Sequence, residues 1–358
     1  MRRKTGFLLL FGLIAIAFIG CSDNGNDEPS LSGENLGKGY YILCEGLMGR
    51  NNSSLDFYDT EKNETTFDVF LEKNAVGLGE TANDMIEYGG KLYIAVTGSN
   101  CIMVVNKNTG EKTRQIILNT GDNPQPRQLA FYGNSLYVAC FDGTVCKINP
   151  DNGRIECHAS TQGRNPDGIA IVNDKVYVSN SGGLDYPNYD NTISVLNSSD
   201  LGFVKKIEVG SNPGTLRAYN DRIIALVRGN YADVPCQILR INTNNDQIED
   251  RVNVSSSSYD ISGDKIIYCN TDYSSGTNVY KTLDINNLQA APENFIRSIP
   301  NNVSIQLPYR ISCTEANVFI TDAKDYSSNG ECFVFDTEGN FINRFTTSTN
   351  PTTVISKQ

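Results

Sequence analysis

One segment recurs seven times along the chain: a short polar turn, a run of alternating apolar residues, then an irregular loop. The copies start at Gly39, Lys91, Ser135, Lys175, Arg222, Lys265 and Asn317, so the interval runs from 40 to 52 residues. Lys91-Leu-Tyr-Ile-Ala-Val and Ser135-Leu-Tyr-Val-Ala-Cys are representative. A period of about 40–50 residues carrying only strand patterns predicts a β-propeller with one four-stranded blade per repeat. The predicted fold class is therefore all-β, a seven-bladed β-propeller over residues 39–358, with no room for a second domain.

Within the repeat at Lys91, residues 84–88 read as the inner strand, Gly89-Gly90 as a tight turn and 91–96 as the second strand. Residues 101–106 follow as the third strand and 112–118 as the outer one. Turns between third and outer strands are rich in Asn, Asp and Gly, which tolerate turn dihedrals, as in Asn149-Pro-Asp-Asn-Gly153. Several inner strands open on Asn-Pro or an equivalent: Asn165-Pro, Asn212-Pro, Leu307-Pro and Asn350-Pro. The last has no blade after it, while the strand at Gly39 has no inner strand before it. Joined, the two ends complete one blade and remove the open sheet edge that would invite aggregation.

The pattern resembles the surface-layer YVTN-type propellers, with Lys175-Val-Tyr-Val-Ser-Asn180 as the nearest local match. That resemblance implies the fold over residues 39–358 and leaves the function open.

Residues 1–20 have the layout of a secretory signal: Arg2, Arg3 and Lys4, an apolar stretch from Phe7 to Ile19, then Gly20. The stretch is short for a membrane span. Phe18-Ile19-Gly20-Cys21 resembles a bacterial lipoprotein signal, in which Cys21 becomes the lipidated first residue. Residues 21–38 are polar and acidic and read as a flexible tether. Acidic residues directly after such a cysteine resemble the surface-export signal of Bacteroidota lipoproteins. The implied location is the outer membrane, lipid-anchored and facing the exterior.

The sequence carries 30 basic and 41 acidic residues, a balance that argues against a nucleic-acid partner. Nine cysteines follow Cys21 without a Cys-x-x-Cys pair, so no zinc or redox motif is indicated, and their pairing is open. His158 is the only histidine and falls on a predicted outer strand, so no histidine metal cluster is expected. Asp84, Asp167 and Asp260 sit near the predicted channel mouth, where acid–base pairing is conceivable. Bonding to neighbouring blades is the plainer role, and neither an enzyme nor a catalytic cofactor is expected.

Strand order sends the loops between second and third strands, and those entering each inner strand, to one face. Four consecutive blades have long second-to-third loops, and each carries tyrosine: Tyr186 and Tyr189, Tyr231, Tyr273, and Tyr326. Arg228 begins one of these loops, and Arg127, Tyr259, Tyr309 and Arg310 fall near the channel mouth. Tyrosine joins a rigid apolar ring to a polar tip, which suits a large amphipathic ligand. These ten residues are the predicted ligand contacts, with Cys21 as lipid attachment and no metal ligands.

Surface lipoprotein, acidic tether and single propeller together resemble the BtuG-type Bacteroidota proteins that capture cobalamin and pass it to a TonB-dependent outer-membrane transporter. The resemblance implies cobalamin or another corrinoid as bound ligand and that transporter as partner. A glycan-binding protein of a polysaccharide-uptake system is the main alternative, weakened by the absence of tryptophan. A protein-interaction scaffold is the third, disfavoured by polar rim loops.

Overall fold

A computed structural model describes residues 33–358, of which Glu34–Gln358 form one compact unit. The predicted signal peptide and Cys21 lie outside the described residues. Twenty-eight strands fall into seven antiparallel sheets of four. Blade 2 shows the common plan, with Ala82–Tyr88 innermost, then Lys91–Val96, Cys101–Asn106 and Lys112–Ile117. Blades 3 to 7 repeat it, with inner strands Pro126–Tyr132, Pro166–Val172, Pro213–Tyr219, Ser258–Ser262 and Pro308–Cys313. Blade 1 is composite. Its inner strand, Pro351–Lys357, pairs with Gly39–Cys44, which pairs in turn with Ser54–Asp59 and then Glu64–Thr66.

Burial explains the strand patterns. Second strands such as Lys91–Val96 and Lys175–Asn180 are buried along nearly their whole length, because each blade is covered on both faces. Outer strands touch a neighbour on one face only, and Ile155–Ser160 alternates between half-buried and exposed. His158 is exposed on that strand.

The core is divided into seven apolar clusters, each between two adjacent blades, including one between blades 7 and 1. The tyrosine of the repeat bridges them. Tyr41 donates its hydroxyl to the Lys107 carbonyl of blade 2 at 2.8 Å, and Tyr137 donates to Ser198 of blade 4 at 2.7 Å. Tyr177 donates to the Asp246 carboxylate of blade 5 at 2.6 Å. A ring fills the space between sheets while its tip satisfies a polar atom of the next blade. All nine described cysteines are free thiols and six are buried, which is the behaviour of small apolar residues.

One element departs from the all-strand expectation. A short helix, Val69–Asn74, follows the three-residue outer strand of blade 1, with Asp68 accepting the Leu71 N–H at 3.1 Å. It presses Val69 and Phe70 into the cluster between blades 1 and 2, which the short strand leaves uncovered. On the same side of that cluster the chain is already bound at Leu36, whose N–H donates to Asn108 O at 2.8 Å. Lys357 Nζ donates to the carbonyls of Leu36 and Gly37.

Asp56 fastens blade 1 to blade 7. It is fully buried and accepts the Ser348 N–H at 2.6 Å, the Ser348 hydroxyl at 2.9 Å and the Asp68 N–H at 2.9 Å. Burial raises its pKa above the usual aspartate value, partly offset by these donors. Asp56→Ala leaves two backbone donors unpaired, so denaturant unfolding is expected to show a loss of about 3 kcal/mol or more. A loss below about 1 kcal/mol would mean that this carboxylate does not hold the seam.

Candidate ligand-binding rim and channel mouth

The channel mouth is built by a repeated backbone device. Gln125, Asn165, Asn212 and Asn350 precede inner-strand prolines and hold φ between 47° and 60°. Their carbonyls accept the N–H of the first residue after the second strand, namely Phe141, Ser181, Arg228 and Glu45, at 2.9–3.1 Å. Asparagine tolerates this left-handed conformation better than most residues, which accounts for the Asn-Pro motif. In six of the seven inner strands the pairing register then slips within the first few residues. Such bulges re-aim side chains. Here the positions one and two after proline line the mouth: Arg127 and Gln128, Asp167, Thr215, Tyr309 and Arg310.

These residues enclose a cavity of about 130 Å³. Asp167 is its electrostatic centre. Arg127 Nε lies 3.1 Å from one carboxylate oxygen and Arg228 Nη1 lies 2.8 Å from the other. Burial alone would raise the Asp167 pKa, but Arg228 and then Arg127 outweigh it and hold the carboxyl at about 2. The Arg127 guanidinium also sits 4.3 Å from the Phe141 ring centroid. Arg228 lies across Gly214, where a Cβ would approach its Cζ to 2.3 Å, so glycine is what lets the guanidinium reach the mouth. Arg310 donates to Asn83 O at 2.9 Å and pairs with Asp84 at 3.4 Å. Tyr309 donates to Glu45, whose other oxygen accepts the Asn83 amide at 3.1 Å. The Tyr309 hydroxyl is pushed well above its ordinary pKa by burial and then by Glu45.

Asp84 and Asp260 also reach across blades, accepting the Leu129 N–H at 3.0 Å and the Cys313 N–H at 2.9 Å. Asp260 is further paired with Arg217 at 2.8 Å. With Asp167 they serve as inter-blade and arginine partners. Among the described residues, no group of three or more His, Cys, Asp or Glu is placed to hold a metal ion.

Around the mouth, the tyrosines of blades 4 to 7 form two contact chains. Tyr186 packs edge-on against Tyr189 at 6.0 Å, and Tyr189 against Tyr231 at 6.1 Å. On the other side, the Tyr273 and Tyr326 hydroxyls are 2.8 Å apart and Tyr326 packs against Tyr309 at 5.8 Å. Tyr186, Tyr231 and Tyr273 are 73%, 71% and 74% exposed, so their rings are presented to solvent. Tyr231 and Tyr326 hold φ of 59° and 62°, a conformation costing about 1 kcal/mol for a residue with a Cβ. The loop around Tyr231 is fixed locally, because Asn230 Oδ1 accepts the Ala232 and Val234 N–H groups at 3.0 and 2.8 Å.

Nine of the ten predicted contacts thus gather on this face, and one does not. Tyr259 is 1% exposed, packed between blades 5 and 6, with its hydroxyl donated to Ile224 O at 2.7 Å. Blade 6 lacks the proline and the register slip, so Tyr259 stays in regular pairing opposite Tyr268 and points into the core. Sequence reasoning passed over Glu45, Asn83, Gln128 and Thr215 in the mouth, and exposed Met48, Leu184 and Val234 on the rim loops. Counting two residues beyond each inner-strand proline would have found Gln128 and Thr215.

Residues 38–344 match the family described as a domain of unknown function (DUF5074). The chain belongs to this family. The match runs from the second strand of blade 1 into the outer strand of blade 7 and stops before Pro351–Lys357, and no curated protein matches the sequence. Among solved structures, hydrazine synthase of Kuenenia stuttgartiensis is similar with a TM-score of 0.58 at 16% identity, over 70% of this chain and 74% of that one. The Pan2 WD40 domain of Neurospora crassa gives 0.54 at 12% identity, over 75% and 79%. The computationally designed Ika8 protein gives 0.53 at 14% identity, over 88% and 89%. At such identities the likeness is one of fold alone.

The Asp167 pKa carries a stability consequence. A carboxyl held at about 2 when folded, against about 3.9 unfolded, contributes about 2 kcal/mol above pH 4 and loses it as pH falls toward 2. Asp167→Asn is expected to lower stability by about that amount at neutral pH and to flatten the acid limb between pH 4 and 2. Denaturant titrations across that range check it, and an unchanged acid limb in the variant counts against the assignment.

Proposed function

We propose that this face captures a large amphipathic organic ligand, a corrinoid such as cobalamin, at the cell surface. The carrying observation is the belt of tyrosines on four consecutive blades around a polar mouth. A flat macrocycle with polar arms around its edge asks for rigid aromatic surface and dispersed hydrogen-bonding groups, which are the belt and the mouth respectively. In this proposal Cys21 carries the lipid, residues 1–20 are removed on export and the chain is that of a Bacteroidota outer-membrane lipoprotein facing outward. The ligand then passes to a TonB-dependent transporter docked on the same face. Met48, Leu184 and Val234, exposed on loops of that face, supply apolar contacts for such a partner.

Purified protein lacking residues 1–21 is expected to release or absorb heat on titration with cyanocobalamin. Combining Tyr186→Ala, Tyr231→Ala and Tyr273→Ala removes three aromatic contacts worth about 0.5–1.5 kcal/mol each, so binding should weaken at least about tenfold. Absence of heat with cyanocobalamin, together with binding to a polysaccharide panel, would transfer the function to glycan capture. The aromatic belt is compatible with sugar stacking, although tryptophan is absent from the sequence.

A further inference from the structure

The mouth cavity has a chemistry of its own, distinct from that of the belt. Three guanidinium groups, Arg127, Arg228 and Arg310, meet three carboxylates, Asp84, Asp167 and Glu45, so the site is close to neutral in sum. An anion would have to compete with Asp167, which already takes both Arg127 and Arg228, and a cation would face three arginines. Neutral groups meet neither obstacle.

Polar valence is nevertheless left over. Among the described residues, Arg127 engages Asp167 through Nε and Arg228 through Nη1, which leaves further N–H donors of both forks without a protein acceptor. Gln128, only 5% exposed, lines the same cavity, and its Oε1 is buried with no donor. A buried acceptor left unpaired is costly, so an orphan of this kind at a mouth marks a place for an external donor. Unpaired arginine donors and an unpaired glutamine acceptor thus belong to residues that line one small space, and a turn of the Gln128 amide brings its oxygen to that space. At about 130 Å³ the cavity has room for one short polar arm.

We infer that the mouth is a socket for a single neutral carboxamide arm of the ligand. Its carbonyl oxygen accepts from the free arginine donors of Arg127 and Arg228, and its amino group donates to Gln128 Oε1. A carboxylate fails because it brings a charge and no donor. A hydroxyl must donate and accept through one atom and fills less of the space. The inference rests on this face being the ligand side, as proposed above, but not on the ligand being a corrinoid.

The experiment is a titration of nitrogen-isotope-labelled protein lacking residues 1–21 with propionamide, sodium propionate and ethylene glycol, following the arginine Nε–H resonances by NMR. Signals of Arg127 and Arg228 are assigned with Arg127→Lys and Arg228→Lys. Propionamide is expected to shift both signals saturably, while propionate leaves them in place and ethylene glycol moves them only weakly. Gln128→Leu should weaken the propionamide response at least about tenfold with the remaining arginine signals unmoved. Should Gln128→Leu not fold, Arg127→Lys is expected to lose the response at Arg228 while keeping the charge. The inference is overturned if propionate or ethylene glycol acts as strongly as propionamide, if propionamide does nothing, or if the variants respond as the parent does. Cyanocobalamin added to the same sample separates the two proposals. Corrinoid binding without a propionamide response sinks the socket alone, and a propionamide response without corrinoid binding sinks the corrinoid assignment alone.

Discussion

The pairing of Pro351–Lys357 with Gly39–Cys44 is the contact on which everything else in this molecule depends. Each apolar cluster lies between two blades, so a blade has no core of its own to fold around. The ring removes both terminal faces at once, because blade 1 shares clusters with blade 2 and with blade 7. Strands contributed from opposite ends of the chain make that closure a non-local event, which delays it relative to the local hairpins of the other blades. Buried Asp56, bonded to Ser348 of blade 7, reinforces the same join with hydrogen bonds.

From the closed ring follows a division of labour on the loop-bearing face. The mouth stands on strand ends, stiffened by bulges, by a glycine under Arg228 and by a carboxylate shared between two arginines. The belt stands on loops, kept in shape by short side-chain-to-backbone bonds such as those of Asn230 and of Asp325, which accepts the Ser327 and Ser328 N–H groups. Recognition groups on a rigid floor lose little freedom on binding, whereas aromatic groups on the loops can settle onto the outline of what arrives.

Much of this was legible in the chain itself, for a definable reason. Second strands are buried on both faces, so Lys91–Val96 and Lys175–Asn180 read as continuous apolar runs between turn residues, and the limits of the first were found to the residue. Which loops share a face followed from antiparallel order alone, and with it the gathering of Tyr186, Tyr189, Tyr231, Tyr273 and Tyr326. What could not be read was parity. Tyr259 and Tyr309 both stand near the start of an inner strand, yet one register slip separates a side chain in the core from one in the mouth. The slip accompanies a left-handed residue or a proline at the strand entrance, Thr81 without proline in blade 2 and Pro308 without a left-handed residue in blade 7, and blade 6 has neither. The helix at Val69–Asn74 was hidden for another reason: its six residues give too short a stretch for helical periodicity to show.

The chain joins the ring at Leu36, on the side of the short turns, where Asn108 and Lys357 hold it. The arginine-lined opening is at the far end of the same channel, where the inner strands begin. Any pull transmitted from upstream of Leu36 therefore acts on the underside of the disc. The opening thus faces away from the side on which the described chain enters the ring.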